Sequence, residues 1–203
     1  LLLVCFYFLS RDAAAVSVEL NQRKVIVVDC GHGGTDPGMI GIDGVKEKDF
    51  NLSIGLKLKA SLEEKGYQVV MTRETDEGLY EAEARNKKVQ DMQKRILIIQ
   101  EVKPVLTVSI HQNSYEDSGV KGPQVFYYRD SVKGEALAKV LQKKLNEYLK
   151  AERPRVAKGN TTYYLLKRSP GILNIVECGF LTNPEEARKL AQEEYQIKVA
   201  EAI

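Results

Sequence analysis

Residues Val25–Gly38 read VIVVDCGHGGTDPG and hold the pattern from which the fold class follows. Four β-branched aliphatic residues, a carboxylate and then a glycine-rich segment are typical of a buried strand that ends at a loop. Behind the loop, Phe50, Ile54 and Leu58 recur at every fourth residue, as on the apolar side of a helix. The succession of strand, loop and helix predicts the first unit of an α/β fold.

The alternation of strands and helices continues along the chain. Strands are predicted at 67–72, 105–110, 124–128, 163–166 and 172–177, helices at 80–101, at 137–148 and from 184 onward, and a loop at 152–161. We therefore expect a single α/β domain with a mostly parallel central sheet flanked by helices on both faces. In such sheets, the active site lies beyond the carboxyl ends of the strands.

Composition is that of an ordinary soluble domain. The chain has 203 residues, of which 43% are hydrophobic and 29% charged, with a formal net charge of +2. A chain of this length buries enough surface to fold without a disulfide or a metal. The small net charge and the absence of a basic run argue against nucleic-acid binding.

The first nine residues, LLLVCFYFL, form an uninterrupted apolar run. Nine residues are too few to span a bilayer, which takes about 20. The small residues Ala13, Ala14 and Ala15 resemble a signal-peptidase site. We interpret 1–20 as a signal-peptide or signal-anchor remnant with a linker, and 21–203 as the folded domain. This interpretation implies export and leaves N-terminal membrane anchoring open; the alternative is a buried N-terminal strand.

The two histidines of the sequence, His32 and His111, both lie directly after predicted strands. Imidazole is a common zinc ligand, and a catalytic zinc takes three protein ligands. Glu47, at the start of the first helix, has the best position for the third. Neighbouring candidates are Asp36, Asp43 and Asp49. Without a metal, the histidines would be capping or surface residues, and Glu47 a first-turn carboxylate favoured by the helix dipole.

Glu177 ends the apolar run ILNIVE, so its carboxylate is expected to be buried. A buried carboxylate needs a partner or a task. Beside a metal, it would exchange protons with water. The alternative is a salt-bridged glutamate, with Arg95 or Lys167 as the counter-ion.

Four segments of the chain resemble the signature blocks of a known family. In order, they are VIVVDCGHGGTDPG, GVKEKDFNL, TVSIHQNS and NIVECGFLTNPEE. This order is similar to that of the N-acetylmuramoyl-L-alanine amidases of the zinc family called amidase type 3. The short apolar leader resembles the sporulation- and germination-specific branch of that family.

The resemblance implies a site and a reaction. It makes His32, Glu47 and His111 the ligands of one Zn²⁺, and Glu177 the general base and acid. Arg95 would support the site or orient Glu177. The implied reaction is hydrolysis of the amide between N-acetylmuramic acid and L-alanine in peptidoglycan. In spore formers, it would be the first step toward muramic-δ-lactam in the cortex.

The resemblance also implies a setting. The enzyme would act in the cell envelope or the forespore intermembrane space, and an activating accessory protein is expected because related amidases are often held in check. Asn113, two residues after the second histidine, would support the ligands. Cys30 and Cys178 depart from the family pattern of Pro and Leu; they are interpreted as apolar fillers, with a disulfide or a metal-capturing pair as alternatives.

Other functions fit the sequence less well. A non-catalytic wall-binding relative would have lost a ligand position, and a zinc peptidase would cut within the stem peptide instead of beside the sugar. The glycine-rich loop lacks the GK[ST] ending of a phosphate-binding P-loop. No GxSxG elbow of a serine hydrolase is present. A Cys178 nucleophile would predict resistance to chelators.

Overall fold

A computed structural model describes residues 24–203, and the leader predicted at 1–20 lies outside the described residues. The strands are β1 Val25–Cys30, β2 Gln68–Met71, β3 Leu106–Asn113, β4 Gln124–Tyr128, β5 Lys158–Asn160 and β6 Leu173–Phe180. The helices are α1 Glu47–Glu64, α2 Lys87–Val102, α3 Val132–Tyr148, α4 Tyr164–Arg168, α5 Pro184–Leu190 and α6 Glu193–Ala202. Within 24–203, no helix has the length and apolar character needed to cross a bilayer.

The six strands form one sheet in the order β2-β1-β3-β6-β4-β5. The first four are mutually parallel, β4 runs antiparallel to β6, and β5 runs parallel to β4. This confirms the mostly parallel sheet. The carboxyl ends of β1, β3 and β6 therefore lie side by side at one edge.

Helices cover both faces of the sheet, as predicted. On one face, the core is built with side chains of α1, α3 and α6, among them Ile54, Leu141 and Val199. On the other face, Ile99 of α2 and Leu165 of α4 pack on the strands. Strands β1 and β6 contribute alternate residues to the two cores, which explains the apolar runs at their starts.

The prediction that the second long helix starts near residue 80 was wrong. Helix α2 begins at Lys87, where the side chain of Asn86 accepts the N–H of Val89 as an N-cap. The preceding loop is held by tertiary contacts instead: the N–H of Leu79 donates to Asp91, and the N–H of Glu81 to Gln90.

Three further assignments near the chain's end need correction. The strand predicted at 163–166 is helix α4, because the Asn160 side chain accepts the N–H groups of Thr162 and Tyr163 and turns the chain before it. The loop predicted at 152–161 contains the edge strand β5, whose pairing with β4 rests on backbone contacts. The single helix predicted from 184 is two, α5 and α6. Asn183 caps the first, as expected.

Candidate metal centre

Three donor side chains converge at the carboxyl edge of the sheet. His32 lies two residues beyond β1, His111 is in β3, and Glu47 is the first residue of α1. One ligand atom from each of the three lies within 4.8 Å of the others. The sequence-predicted ligands are thus neighbours in space, although 64 positions separate Glu47 from His111.

The carboxylate of Glu47 lies between the two imidazoles. Its Oε1 is 3.0 Å from His111 Nδ1, and its Oε2 is 3.2 Å from His32 Nε2. Burial would raise the pKa of Glu47, but hydrogen bonds from both rings outweigh it and lower the pKa. For His111, burial alone would lower the pKa. The neighbouring Glu47 carboxylate outweighs burial and raises the pKa of His111 to about 8. The cluster therefore keeps an ionised carboxylate.

His32 is held from two directions. Its Nδ1 is 2.9 Å from Asp36 Oδ2, so Nε2 is the nitrogen that faces Glu47. Its backbone has φ 62, in the left-handed region, and its carbonyl accepts a hydrogen bond from Arg95 Nη2 at 2.7 Å. A carboxylate on the far nitrogen of a ligand histidine is a common feature of zinc sites.

A second set of contacts fixes Glu47. Asn51, one helical turn further along α1, donates through Nδ2 to Glu47 Oε1 at 3.2 Å and to the Gly31 carbonyl at 3.1 Å. The N–H groups of Gln112 and Met39 donate to the two carboxylate oxygens. Both oxygens of Glu47 therefore have backbone and side-chain partners.

Two glycines leave the room that the cluster needs. A Cβ on Gly31 would lie 2.2 Å from the His111 ring, and one on Gly38 would lie 2.5 Å from Glu47 Oε2. Gly38 also has φ +66. The two-nitrogen, one-carboxylate donor set is one that catalytic zinc uses. The residues present therefore fit a zinc ion.

Glu177 lies beside this cluster without joining it. It is the register neighbour of His111 on the adjacent strand, so both side chains project from the same face of the sheet. Its Oε2 is buried without a hydrogen-bond partner, and among the described residues it forms no salt bridge with Arg95 or Lys167. Burial raises the pKa of Glu177 to about 7, against the lowering effect of His111.

Arg95 is buried but does not orient Glu177. Its guanidinium pairs with Asp29 Oδ1 and Asp91 Oδ2, each at 2.5 Å. It also donates to the carbonyls of Cys30 and His32. Arg95 thus holds the backbone that carries a candidate ligand, and the expectation of a direct contact with Glu177 is corrected.

The remaining sequence interpretations are settled by position. Cys30 and Cys178 are buried free thiols. Strand β3 lies between their strands, which separates them beyond disulfide reach. Burial raises the pKa of Cys30 to about 12, as expected for an apolar filler. The Asn113 side chain accepts the N–H of the next residue, Ser114, and so bonds within its own segment of backbone.

The sequence interpretation missed several supporting residues. Arg73 is buried and donates to the carbonyls of Gly31 and Lys48, which ties the first strand's end to the start of α1. No local pattern marks it. Asn51 carried a readable signal, because a residue one helical turn from a candidate ligand shares its helix face.

An open cleft of about 700 Å³ lies over the cluster. Helix α2 lines it with Lys88, Asp91 and Met92, and the segment leading into α4 adds Tyr163 and Tyr164. The three candidate ligands and Glu177 also line the cleft.

Comparison with known proteins gives a consistent result. The Amidase_3 family, described as N-acetylmuramoyl-L-alanine amidase, matches residues 26–203. The germination-specific N-acetylmuramoyl-L-alanine amidase of Bacillus subtilis (strain 168) is 36% identical over 185 residues, covering 89% of this chain and 76% of the relative.

Solved structures agree with this match. The CwlD amidase from Clostridioides difficile, in complex with the GerS lipoprotein, is 38% identical with a TM-score of 0.86, covering 89% of this chain and 94% of that one. The amidase AmiC2 of Nostoc punctiforme is 36% identical with a TM-score of 0.76, covering 89% and 92%. From the sheet, the site and these relatives together, it follows that this chain belongs to the N-acetylmuramoyl-L-alanine amidase family of peptidoglycan hydrolases.

Proposed function

We propose that this chain is a zinc-dependent amidase that cleaves the bond between N-acetylmuramic acid and L-alanine in spore-cortex peptidoglycan. Cleavage there would be the first step toward muramic-δ-lactam. One observation carries the proposal: three N and O donors lie within 4.8 Å of one another, beside the unpartnered carboxylate oxygen of Glu177. The germination-specific relative supports the cortex as the setting.

His32, Glu47 and His111 would hold the zinc. When bound, the ion would supply Lewis-acid chemistry, lowering the pKa of a water molecule toward about 7 and polarising the scissile carbonyl. Asp36 keeps His32 in the orientation that presents Nε2, and Asn51 holds the Glu47 carboxylate.

Glu177 would move the proton. It accepts a proton from the water that attacks the carbonyl carbon and then donates it to the amine nitrogen as the carbon–nitrogen bond breaks. A carboxyl with a pKa near neutrality can act in both directions, and burial gives Glu177 a pKa of about 7. Arg95 would act as a positioning residue through the His32 carbonyl, without touching the substrate.

The family and its germination-specific relative support a substrate and a setting for this proposal. Products would be a peptide-free glycan and a free stem peptide. We propose export, with residues 1–20 as leader or membrane anchor and 21–203 as the catalytic domain, acting in the envelope or the forespore intermembrane space. The relative solved with the GerS lipoprotein supports an accessory protein as a partner here.

Digestion of cortex-type peptidoglycan, with and without a chelator, tests the function through mass spectrometry of the products. We expect unsubstituted muramic acid and intact stem peptides, and loss of both products in chelator. Cleavage within the stem would instead indicate a zinc peptidase. Binding without any product would indicate a wall-binding relative.

Metal content tests the ligand set separately. Purified wild-type protein is expected to bind one zinc per chain, and His111→Ala substantially less. Asn113→Ala is the matched control, because Asn113 neighbours the site without contacting a candidate ligand. Equal zinc content in His111→Ala and wild type would contradict the assignment.

A further inference from the structure

The cleft over the candidate metal centre has a single exposed Lys or Arg side chain among the described residues that line it. That side chain is Lys88, which is 73% exposed. The other such residue, Arg95, is 1% exposed and is fully engaged by its two aspartates. Among the described residues that line the cleft, Lys88 is thus the one permanent cation that an incoming substrate can reach.

Helix α2 directs Lys88 toward the cleft. Lys88, Asp91, Met92 and Arg95 all line it, with the spacing of one helical face. Arg95 lies deep, where it contacts the His32 carbonyl. Lys88 lies two turns earlier, about 10 Å along the helix axis, at the mouth.

The ammonium of Lys88 is close to the reaction centre and has donors to spare. Its Nζ is 3.9 Å from Asp36 Oδ2, too far for a hydrogen bond, and the same oxygen is 2.9 Å from His32 Nδ1. No hydrogen bond joins Lys88 Nζ to any residue in 24–203, although an ammonium has three donors. The group is therefore available to a ligand that comes with an anion.

Neighbouring lysines of α2 are otherwise occupied. Lys87 Nζ lies 5.3 Å from the ring centroid of Tyr80, and Lys94 pairs with Glu81. Neither of them lines the cleft. The helix therefore presents to the cleft one ammonium that has an ion-pair neighbour but no hydrogen-bond partner, and an adjacent lysine that serves as a control.

A stem peptide supplies a matching anion. The residue after L-alanine is a D-glutamate joined onward through its γ-carboxyl, so its α-carboxylate is free unless it is amidated. In an extended chain, two residues span about 7 Å. The D-glutamate carboxylate can therefore reach Lys88, because Lys88 and His32 both lie beside the same oxygen of Asp36.

We propose that Lys88 is a specificity-determining residue that selects stem peptides whose second residue carries a free α-carboxylate over stems in which it is amidated. The inference rests on the proposed amidase function and adds a preference that the metal centre by itself does not explain. The attraction between Lys88 and the carboxylate would affect binding of the peptide. The roles proposed for the zinc ligands and Glu177 do not change.

The test uses two uncross-linked glycan strand substrates that differ only in D-glutamate or D-isoglutamine at the second position. Wild type, Lys88→Met and Lys87→Met are compared by kcat/KM from product chromatography, with zinc content measured for each. We expect wild type to prefer the carboxylate about 10-fold, the worth of one charge-assisted contact. Lys88→Met should reduce that ratio to about 1, whereas Lys87→Met should retain it.

The outcomes separate the two proposals. Release of peptides from both substrates by wild type with equal efficiency would overturn the role of Lys88 and leave the amidase function standing. The same holds if Lys88→Met retains the wild-type ratio, or if it loses zinc and both activities together. No release from either substrate by the zinc-loaded wild type would overturn the amidase function itself.

Discussion

Glu47 and Glu177 are the same residue type, both buried within one cleft, yet their surroundings differ. Glu47 lies on the ligand side, formed by the loop after β1 and the start of α1, where both oxygens have hydrogen-bond partners. Glu177 lies within β6, three residues before that strand ends, where one of its carboxylate oxygens has no hydrogen-bond partner. Accordingly the pKa of Glu47 is lowered and that of Glu177 is raised to about 7. Under the proposed function, environment alone gives two identical side chains different tasks.

Substitution of each glutamate by glutamine is the most direct way to break this comparison. Glu177→Gln should lose turnover by about 10²- to 10⁴-fold, the usual contribution of a general acid–base group, and keep its zinc. Glu47→Gln should lose zinc and activity together. Product release and metal analysis measure both. Wild-type turnover in Glu177→Gln would place proton transfer elsewhere.

Substitution of Arg95 tests whether its buried ion pairs stabilise the part of the domain that carries the candidate ligands. Arg95→Met leaves Asp29 and Asp91 buried without their cation, which should cost about 3–5 kcal/mol of unfolding free energy. Chemical denaturation of the metal-free protein measures it. Lys94→Met, which removes a solvent-exposed pair with Glu81, should change the unfolding free energy far less, because solvent screens that pair. Similar losses in both variants would contradict the structural role of Arg95.

The pH dependence of stability is a second test of the difference between Glu47 and Glu177. A folded-state pKa of about 7 for Glu177, above the ordinary 4.5, means that the unfolded chain ionises first as pH rises. The metal-free protein should therefore lose stability between pH 4.5 and 7, by about 3 kcal/mol at most. Glu177→Gln should lack this loss.

His111 supplies the background for that measurement. Its pKa is raised from 6.5 to about 8, so its stabilisation is complete below pH 6.5 and is lost as pH rises through 8. Glu177 contributes to the raised pKa of His111, so the difference between the two denaturation curves reports the burial of Glu177 together with its coupling to His111. Parallel curves from pH 4 to 8 would mean that Glu177 is not desolvated.

Substitution of Asn51 has the smallest expected effect. It tests whether Asn51 is the residue that holds the candidate ligand Glu47 in place. Asn51→Ala removes the side chain that holds Glu47 Oε1, and should weaken zinc affinity about 10- to 100-fold. Competition with a metal-chelating dye measures the affinity. Asn113→Ala, at the position that the sequence favoured, should change it little. The reverse ranking would restore Asn113 as the supporting residue.

Much of the fold was predictable because strand and helix periodicity survive in the local sequence. The candidate ligands could be named from four ordered blocks, and Glu47 does begin a helix, but β6 continues three residues beyond Glu177. The start of α2 was missed because tertiary contacts of Leu79 and Glu81 keep that segment out of the helix. The edge strand β5 has a polar sequence and is recognisable only from its pairing with β4.

The supporting contacts of the site were harder to predict. The bonds by which Arg73 and Arg95 support the site reach backbone carbonyls that lie 25 to 65 positions away in sequence. A carbonyl acceptor has no side-chain identity, so no residue pattern marks such a pair. Asp36 and Asn51, in contrast, lie four positions from His32 and Glu47, and spacing alone makes them candidates.

Cys30 and Cys178 determine how the protein withstands oxidants. Both sulfurs are sealed in the core, two strands apart, and burial raises the pKa of both thiols, so almost no thiolate forms at neutral pH. Peroxide and glutathione disulfide attack the thiolate, so neither residue offers them a target while the domain is folded. Within residues 24–203, the domain therefore has no disulfide that a reductant could break, and neither of its two thiols is placed to form one.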